Sequence, residues 1–133
     1  MSETLESIET APASAKPGRF LGADGKPLEF EDAQASGLSV GVPGILAMYE
    51  LAHRQFGKLP WAALFAPAIR LAESGFPISP RLAQLLAEDE YLPHSPTAAA
   101  YFYRADGTPK PEGTLLRNPD LAQTLKAIAA QGT

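Results

Sequence analysis

With 133 residues, 45% hydrophobic and 20% charged, the chain suits one region with a buried core, and it reads neither as a disordered segment nor as a membrane protein. A net charge of −4 without a Lys/Arg cluster argues against nucleic acid and anionic membrane as partners. Cysteine is absent, which excludes disulfides and thiolate metal sites but leaves the compartment open. The longest apolar run, Trp61 to Ala72, is broken by Pro67 and charged at Arg70, well short of the roughly 20 apolar residues a spanning helix needs.

Thirteen prolines are about twice the usual share. They are spread along the chain and serve as punctuation between elements. Met1 to Ile8 reads as a loose end or a strand fragment, and residues 1–8 as artificial or disordered sequence. Met1 to Glu9 is acidic and polar, which is not the pattern of a signal peptide. Thr10 to Ala15 is small enough to start a short helix, stopped at Lys16-Pro17-Gly18. Arg19 to Leu21 is expected to be extended, and Gly22 to Asp32 to be surface loop turning at Asp24-Gly25. A strand is expected over Leu38 to Val42.

The rest of the chain is organised around the stretch Ser39-Val40-Gly41-Val42-Pro43-Gly44. It reads as strand, tight turn and helix start, with Gly41 and Gly44 allowing backbone geometry or contacts that a Cβ forbids. The spacing predicts a helix over Ile45 to Gln55, with Ile45, Met48, Tyr49, Ala52 and Phe56 on one face. Glu50 and Arg54 pair on its outer side, and Gly57 ends it in a left-handed conformation. A second helix starts with Pro60 at its first position. It buries Trp61, Leu64, Phe65, Ala68, Leu71 and Ala72, is kinked or divided at Pro67, and closes at Gly75.

Ser79 and Pro80 open a third helix with Leu82, Leu85 and Leu86 as its stripe. Glu88-Asp89-Glu90 at its end opposes the helix dipole. Leu92 to Pro96 is a turn, Ala98 to Arg104 a strand ending at Asp106-Gly107, and Thr114 to Leu116 an extended neighbour of that strand. Asn118 caps the last helix, with Pro119 and Asp120 in its first turn. Leu121, Leu125, Ile128 and Ala129 form its buried face, and Gly132 ends it. The fold class is mainly α with a few short strands, and residues 1–133 form a single region.

Catalytic groups are sparse. His53 sits at the edge of an apolar helix face with no partner marked by spacing, and reads as a packing residue. His94 lies in a proline turn and reads as solvated. Two histidines without cysteine give no metal-ligand spacing. The Glu88–Glu90 run lacks the alternation and glycine of a Ca²⁺ loop. No Gly-x-Ser-x-Gly elbow supports a serine triad. Gly41 to Gly44 lacks the Gly-Lys-Ser/Thr ending of a phosphate loop. On these grounds no catalytic residue, metal or cofactor is assigned.

Several pieces in order nevertheless resemble γ-glutamyltransferase (γ-glutamyl transpeptidase). They are Glu9-Thr10-Ala11-Pro12-Ala13, Asp24-Gly25-Lys26-Pro27, Val40 to Gly44, Ala52 to Trp61, Leu64 to Pro77, Asp106-Gly107 and Asn118 to Leu125. The resemblance spans Glu9 to Gly132. It implies an αββα sandwich of the N-terminal-nucleophile hydrolases, of which this chain supplies outer helices and a little strand. It also implies an internal piece of the large subunit. The nucleophilic Thr would stand on a small subunit downstream, so the partners would be the rest of the large subunit and that Thr-bearing subunit. The parent would be periplasmic or extracellular. Where the family carries an Arg that clamps the donor's α-carboxylate, this sequence has Ile8, which cannot make that contact. If the chain is a piece, orphaned helix faces would favour self-association, with Trp61, Phe65 and Leu86 as the expected surface. The alternative is a stand-alone helical binding module related to the family without its chemistry.

Overall fold

A computed structural model describes residues 10–133 of the chain. The described residues fall into two compact units. One runs to Lys58 and includes Thr133, and the other is Leu59–Gly132. The expectations for residues 1–8 lie outside the described residues.

The first unit holds the short helix α1 (Phe30–Ala35), a 3₁₀ turn over Gly37–Ser39 and helix α2 (Ile45–Phe56). Thr10 to Ala15 is not helical. The Ala15 N–H donates to the Pro12 carbonyl, and consecutive turns continue through Phe20. Arg19 and Phe20 are therefore turn residues, and Leu21 alone is extended, in a bridge with Pro27. Asp24-Gly25 turns as expected, with Gly25 at φ 76°, but the loop ends early because α1 starts at Phe30.

The expected strand over Leu38 to Val42 does not form. Ser36 Oγ accepts from the Leu38 N–H, and Ser39 Oγ donates to the Gln34 and Ser36 carbonyls. These hydroxyl bonds offer the backbone a local alternative to a ladder. Only Val42 pairs, in a single bridge to Thr10. Neither Gly41 nor Gly44 has a positive φ, and a Cβ on Gly44 would face open space. Helix α2 occupies the expected span. Gly57 is not left-handed, at φ −66° and ψ 140°. Its missing Cβ instead makes room for the His53 ring and carbonyl, which a side chain there would meet. None of the expected α2 face is fully buried. Met48 and Ala52 are half-buried, whereas Ile45, Tyr49 and Phe56 are exposed.

The second unit contains every fully buried hydrophobic residue among those described. Helix α3 (Trp61–Ser74) is one continuous helix with Pro67 inside it, and Pro60 is its N-cap and not its first residue. It packs against the last helix, α6 (Pro119–Gln131). Trp61 Nε1–H donates to the Ile128 carbonyl at 3.1 Å, Trp61 meets the Phe65 ring edge-on at 4.8 Å, and Lys126 pairs with Glu73. Small residues occupy the seam. Ala72 and Ala122 are buried, while Leu64, Leu71 and Leu121 of the expected faces are exposed. On α6, Leu125, Ile128 and Ala129 of the expected face are half-buried as predicted, and Ala122 takes the inward place expected of Leu121.

Strand β1 (Phe76–Pro77) pairs antiparallel with β2 (Leu115–Leu116), Phe76 opposite Leu116. Thr114 to Leu116 therefore joins β1 and not the segment after Ala98. Between them lies helix α4 (Pro80–Glu88), capped by Ser79 Oγ accepting from the Leu82 N–H at 3.2 Å. A 3₁₀ turn (Leu92–His94) and helix α5 (Pro96–Phe102) come next. The segment expected as a strand is thus helical to Phe102. Pro96 at the first turn and three alanines at 98–100 favour the helix over the aromatic residues that suggested a strand. The core of the unit is Ile78, Leu86, Tyr103 and Leu116. Leu86 and Phe65 are buried and Trp61 is half-buried, so the expected association surface is instead the inside of this unit. Leu85, expected in the α4 stripe, is 48% exposed.

Gly75 closes α3 at φ 88°, and a Cβ there would stand 2.8 Å from the Leu116 carbonyl oxygen. Gly75→Ala is expected to lower stability by more than about 1 kcal/mol in urea unfolding. Gly37→Ala, facing open space without a positive φ, is expected to change it by less than about 0.5 kcal/mol.

Candidate functional site

The two stretches flanking the first unit's turns are brought together by one backbone contact. The Val42 N–H donates to the Thr10 carbonyl at 2.9 Å, closing an antiparallel bridge. Thr10, next to Ala11-Pro12-Ala13, thus meets Val42 of the Val40–Gly44 piece in space. Around this bridge opens a cavity of about 680 Å³, a volume typical of small-molecule sites. Its walls come from Thr10 to Pro12, Ala15 to Leu21, Pro27 and Leu38 to Gly41. Arg19 Nε–H donates to the Leu38 carbonyl at 2.7 Å, joining one wall to the other. Sequence patterning does not single out this cavity. Its only signal is the density of Pro and Gly over residues 12–18, which marks consecutive turns.

Ile8 lies outside the described residues. His53 is half-buried on α2 and packs on Gly57, and His94 is exposed in its 3₁₀ turn. The acidic run at the end of α4 is divided in role. Glu88 takes the Gln84 amide, whereas Asp89 Oδ1 accepts the Tyr91 and Leu92 N–H groups and so starts the next turn. Among the described residues no group of three or more His, Asp or Glu side chains could hold a metal ion. Burial, with the Asp89 charge second, pushes the Tyr103 hydroxyl above its usual range; that hydroxyl donates to the Leu86 carbonyl at 2.8 Å.

Glu50 gathers more partners than its expected pairing with Arg54. Thr133 donates to Glu50 Oε2 from its N–H and its hydroxyl, and Arg54 Nη2 donates to Oε1. The Thr133 hydroxyl and N–H, then Arg54, hold the carboxyl down to about 2. Asp106 is lowered too, first by the Thr108 hydroxyl and then by the Thr108 N–H, which locks the Asp106-Gly107 turn.

The whole sequence, residues 1–133, matches the family described as gamma-glutamyltranspeptidase. It is 41% identical over 130 residues to the glutathione hydrolase proenzyme of Bacillus subtilis (strain 168), covering 97% of this chain and 22% of that protein. The gamma-glutamyltranspeptidase of Helicobacter pylori superposes with a TM-score of 0.86 at 33% identity, over 95% of this chain and 36% of that one. For the gamma-glutamyltranspeptidase of Pseudomonas nitroreducens the TM-score is 0.77 at 33% identity, over 96% and 36%. The mostly helical architecture with two short strands is thus that of N-terminal-nucleophile hydrolase structures. The chain belongs to the gamma-glutamyltranspeptidase family. It spans about a fifth of the length of the curated relatives it matches. No helix among the described residues is long and apolar enough to cross a membrane.

The Glu50 contacts carry a pH signature. A carboxyl lowered in the folded state stabilises fully above its unfolded value, 4.5, and loses that contribution as pH falls toward 2. Glu50→Gln is therefore expected to lower stability at pH 7 and to flatten its decline between about pH 5 and pH 2, read by urea unfolding across pH.

Proposed function

We propose that this chain is a structural portion of an enzyme that transfers or hydrolyses γ-glutamyl groups from glutathione-type donors. The catalytic Thr stands at the N-terminus of a small subunit outside this chain. In such an enzyme the Thr hydroxyl attacks the donor's γ-carbonyl, its own α-amine takes the proton and passes it to the amine that leaves as the γ-amide C–N bond breaks, and water or another amine then attacks the acyl-enzyme and frees the Thr. This chain contributes scaffold to that site, and its partners are the rest of the large subunit and the Thr-bearing subunit. The observation that carries the reading is the family match along all 133 residues. The burial pattern agrees with it. Among the described residues, the first unit has no fully buried hydrophobic residue, and α2 presents Ile45, Tyr49 and Phe56 to solvent. A helix with that face exposed lacks the neighbour it was patterned for. The same faces drive self-association of the chain when it is alone, which a stand-alone binding module would not show.

Pure chain is expected to release no chromophore from a chromogenic γ-glutamyl anilide, and clear turnover would overturn the proposal. Its circular dichroism melt is expected to be broad, with a mass by light scattering that rises with concentration. A sharp melt at monomer mass would favour the binding module. In an enzyme carrying this segment and its Thr subunit, Ile8→Arg is expected to raise kcat/KM for the anilide by about tenfold or more, the worth of a charge-assisted carboxylate contact.

A further inference from the structure

We propose that the cavity between the Thr10–Leu21 turns and the Leu38–Gly41 turn binds a small organic carboxylate with an apolar body. This inference stands independently of the γ-glutamyl reading, since it uses only the walls of the cavity.

The size fits, because about 680 Å³ lies within the range of small-molecule sites. The walls are mostly apolar, built from Pro12, Pro17, Phe20, Leu21, Leu38 and Val40. They remove an alkyl or aryl body from water at about 25 cal/mol per Å². The polar groups decide the charge of the ligand. Lys16 and Arg19 line the cavity and no Asp or Glu does. Neither cation forms an ion pair among the described residues. A cationic or neutral ligand would leave both unpaired, whereas an anion neutralises them.

Arg19 narrows the choice of anion. Its Nε–H is committed to the Leu38 carbonyl, and the residue is half-buried. That bond ties the guanidinium to the far wall and leaves the edge formed by its two terminal nitrogens. This edge is a planar two-donor fork, which matches the two oxygens of a carboxylate. Lys16, exposed on the same turn, adds a point charge.

The walls are already set. The Ala15 N–H donates to the Pro12 carbonyl at 2.8 Å, Arg19 N–H to Lys16 at 3.0 Å and Leu21 N–H to Gly18 at 3.0 Å. Three prolines, Pro12, Pro17 and Pro27, line the same space and fix φ along it. Little ordering is left to be done on binding, which favours affinity for a small ligand.

The test is a titration with octanoate of an intact enzyme that carries this segment and its Thr subunit, isotope-labelled within the segment and monitored through amide shifts in two-dimensional NMR. Octanamide keeps the body without the charge, and acetate the charge without the body. Saturable shifts are expected over residues 10–21 and 38–41, with octanamide and acetate binding at least about tenfold more weakly. Arg19→Gln is expected to weaken octanoate about tenfold, and Lys16→Gln by a smaller factor. Equal binding of octanoate and octanamide overturns the proposal. So do shifts centred on the exposed faces of α2, α3 or α6, and so does the absence of saturable shifts. If Arg19→Gln alters the native spectrum, Lys16→Gln decides: unchanged octanoate affinity there overturns the proposal.

Discussion

The stitching of residues 72–78 to residues 113–118 holds the second unit together. The Asn118 N–H reaches the Ala72 carbonyl, Arg117 Nε–H the Ser74 carbonyl, and Phe76 pairs with Leu116. Ile78 continues the ladder, taking its N–H to the Thr114 carbonyl and receiving the Gly113 N–H on its own carbonyl. Its side chain is 1% exposed, so it carries both the ladder's end and the core's centre. Helix α4 leaves from this point with Leu86 turned into the core, and Tyr103 returns to meet the Leu86 carbonyl. The same ladder sets Asn118 where its side chain caps α6, and α6 then lies on α3.

The first unit is organised differently. Its backbone is satisfied by turns, hydroxyl bonds and two isolated bridges, and not by a ladder or a packed helix pair. Such a unit gains shape from local hydrogen bonds and little from apolar burial. That accounts for a cavity with pre-set walls beside a helix whose apolar side is bare.

Helices were the legible part of the fold. The α2 span, the Ser79 and Asn118 caps and the Gly75 and Gly132 ends derive from periodicity and cap chemistry. The misreadings share a cause. Aromatic or β-branched residues at 38–42 and 98–104 suggested strands, yet serine hydroxyls and an alanine run decided those segments locally. The α3 and α6 faces were legible in part: Trp61, Phe65, Ala72, Leu125, Ile128 and Ala129 turn inward as expected, whereas Leu64, Ala68, Leu71 and Leu121 do not, because periodicity cannot say how wide a stripe the neighbour covers. The family was legible from ordered short motifs. The cavity was not, because it depends on one arginine reaching a carbonyl 19 residues away, a contact without sequence periodicity.

The bond from Trp61 to the Ile128 carbonyl spans 67 residues, and this has a consequence during synthesis. At about 5–20 residues per second on the ribosome, α3 emerges roughly 3–13 s before the helix that covers it. Through that interval Phe65 and Ala72 have no seam to enter. The nascent chain therefore presents a helix with a bare apolar stripe for seconds, long compared with the microseconds in which helices form. Chaperones or premature contacts compete for this stripe until α6 arrives.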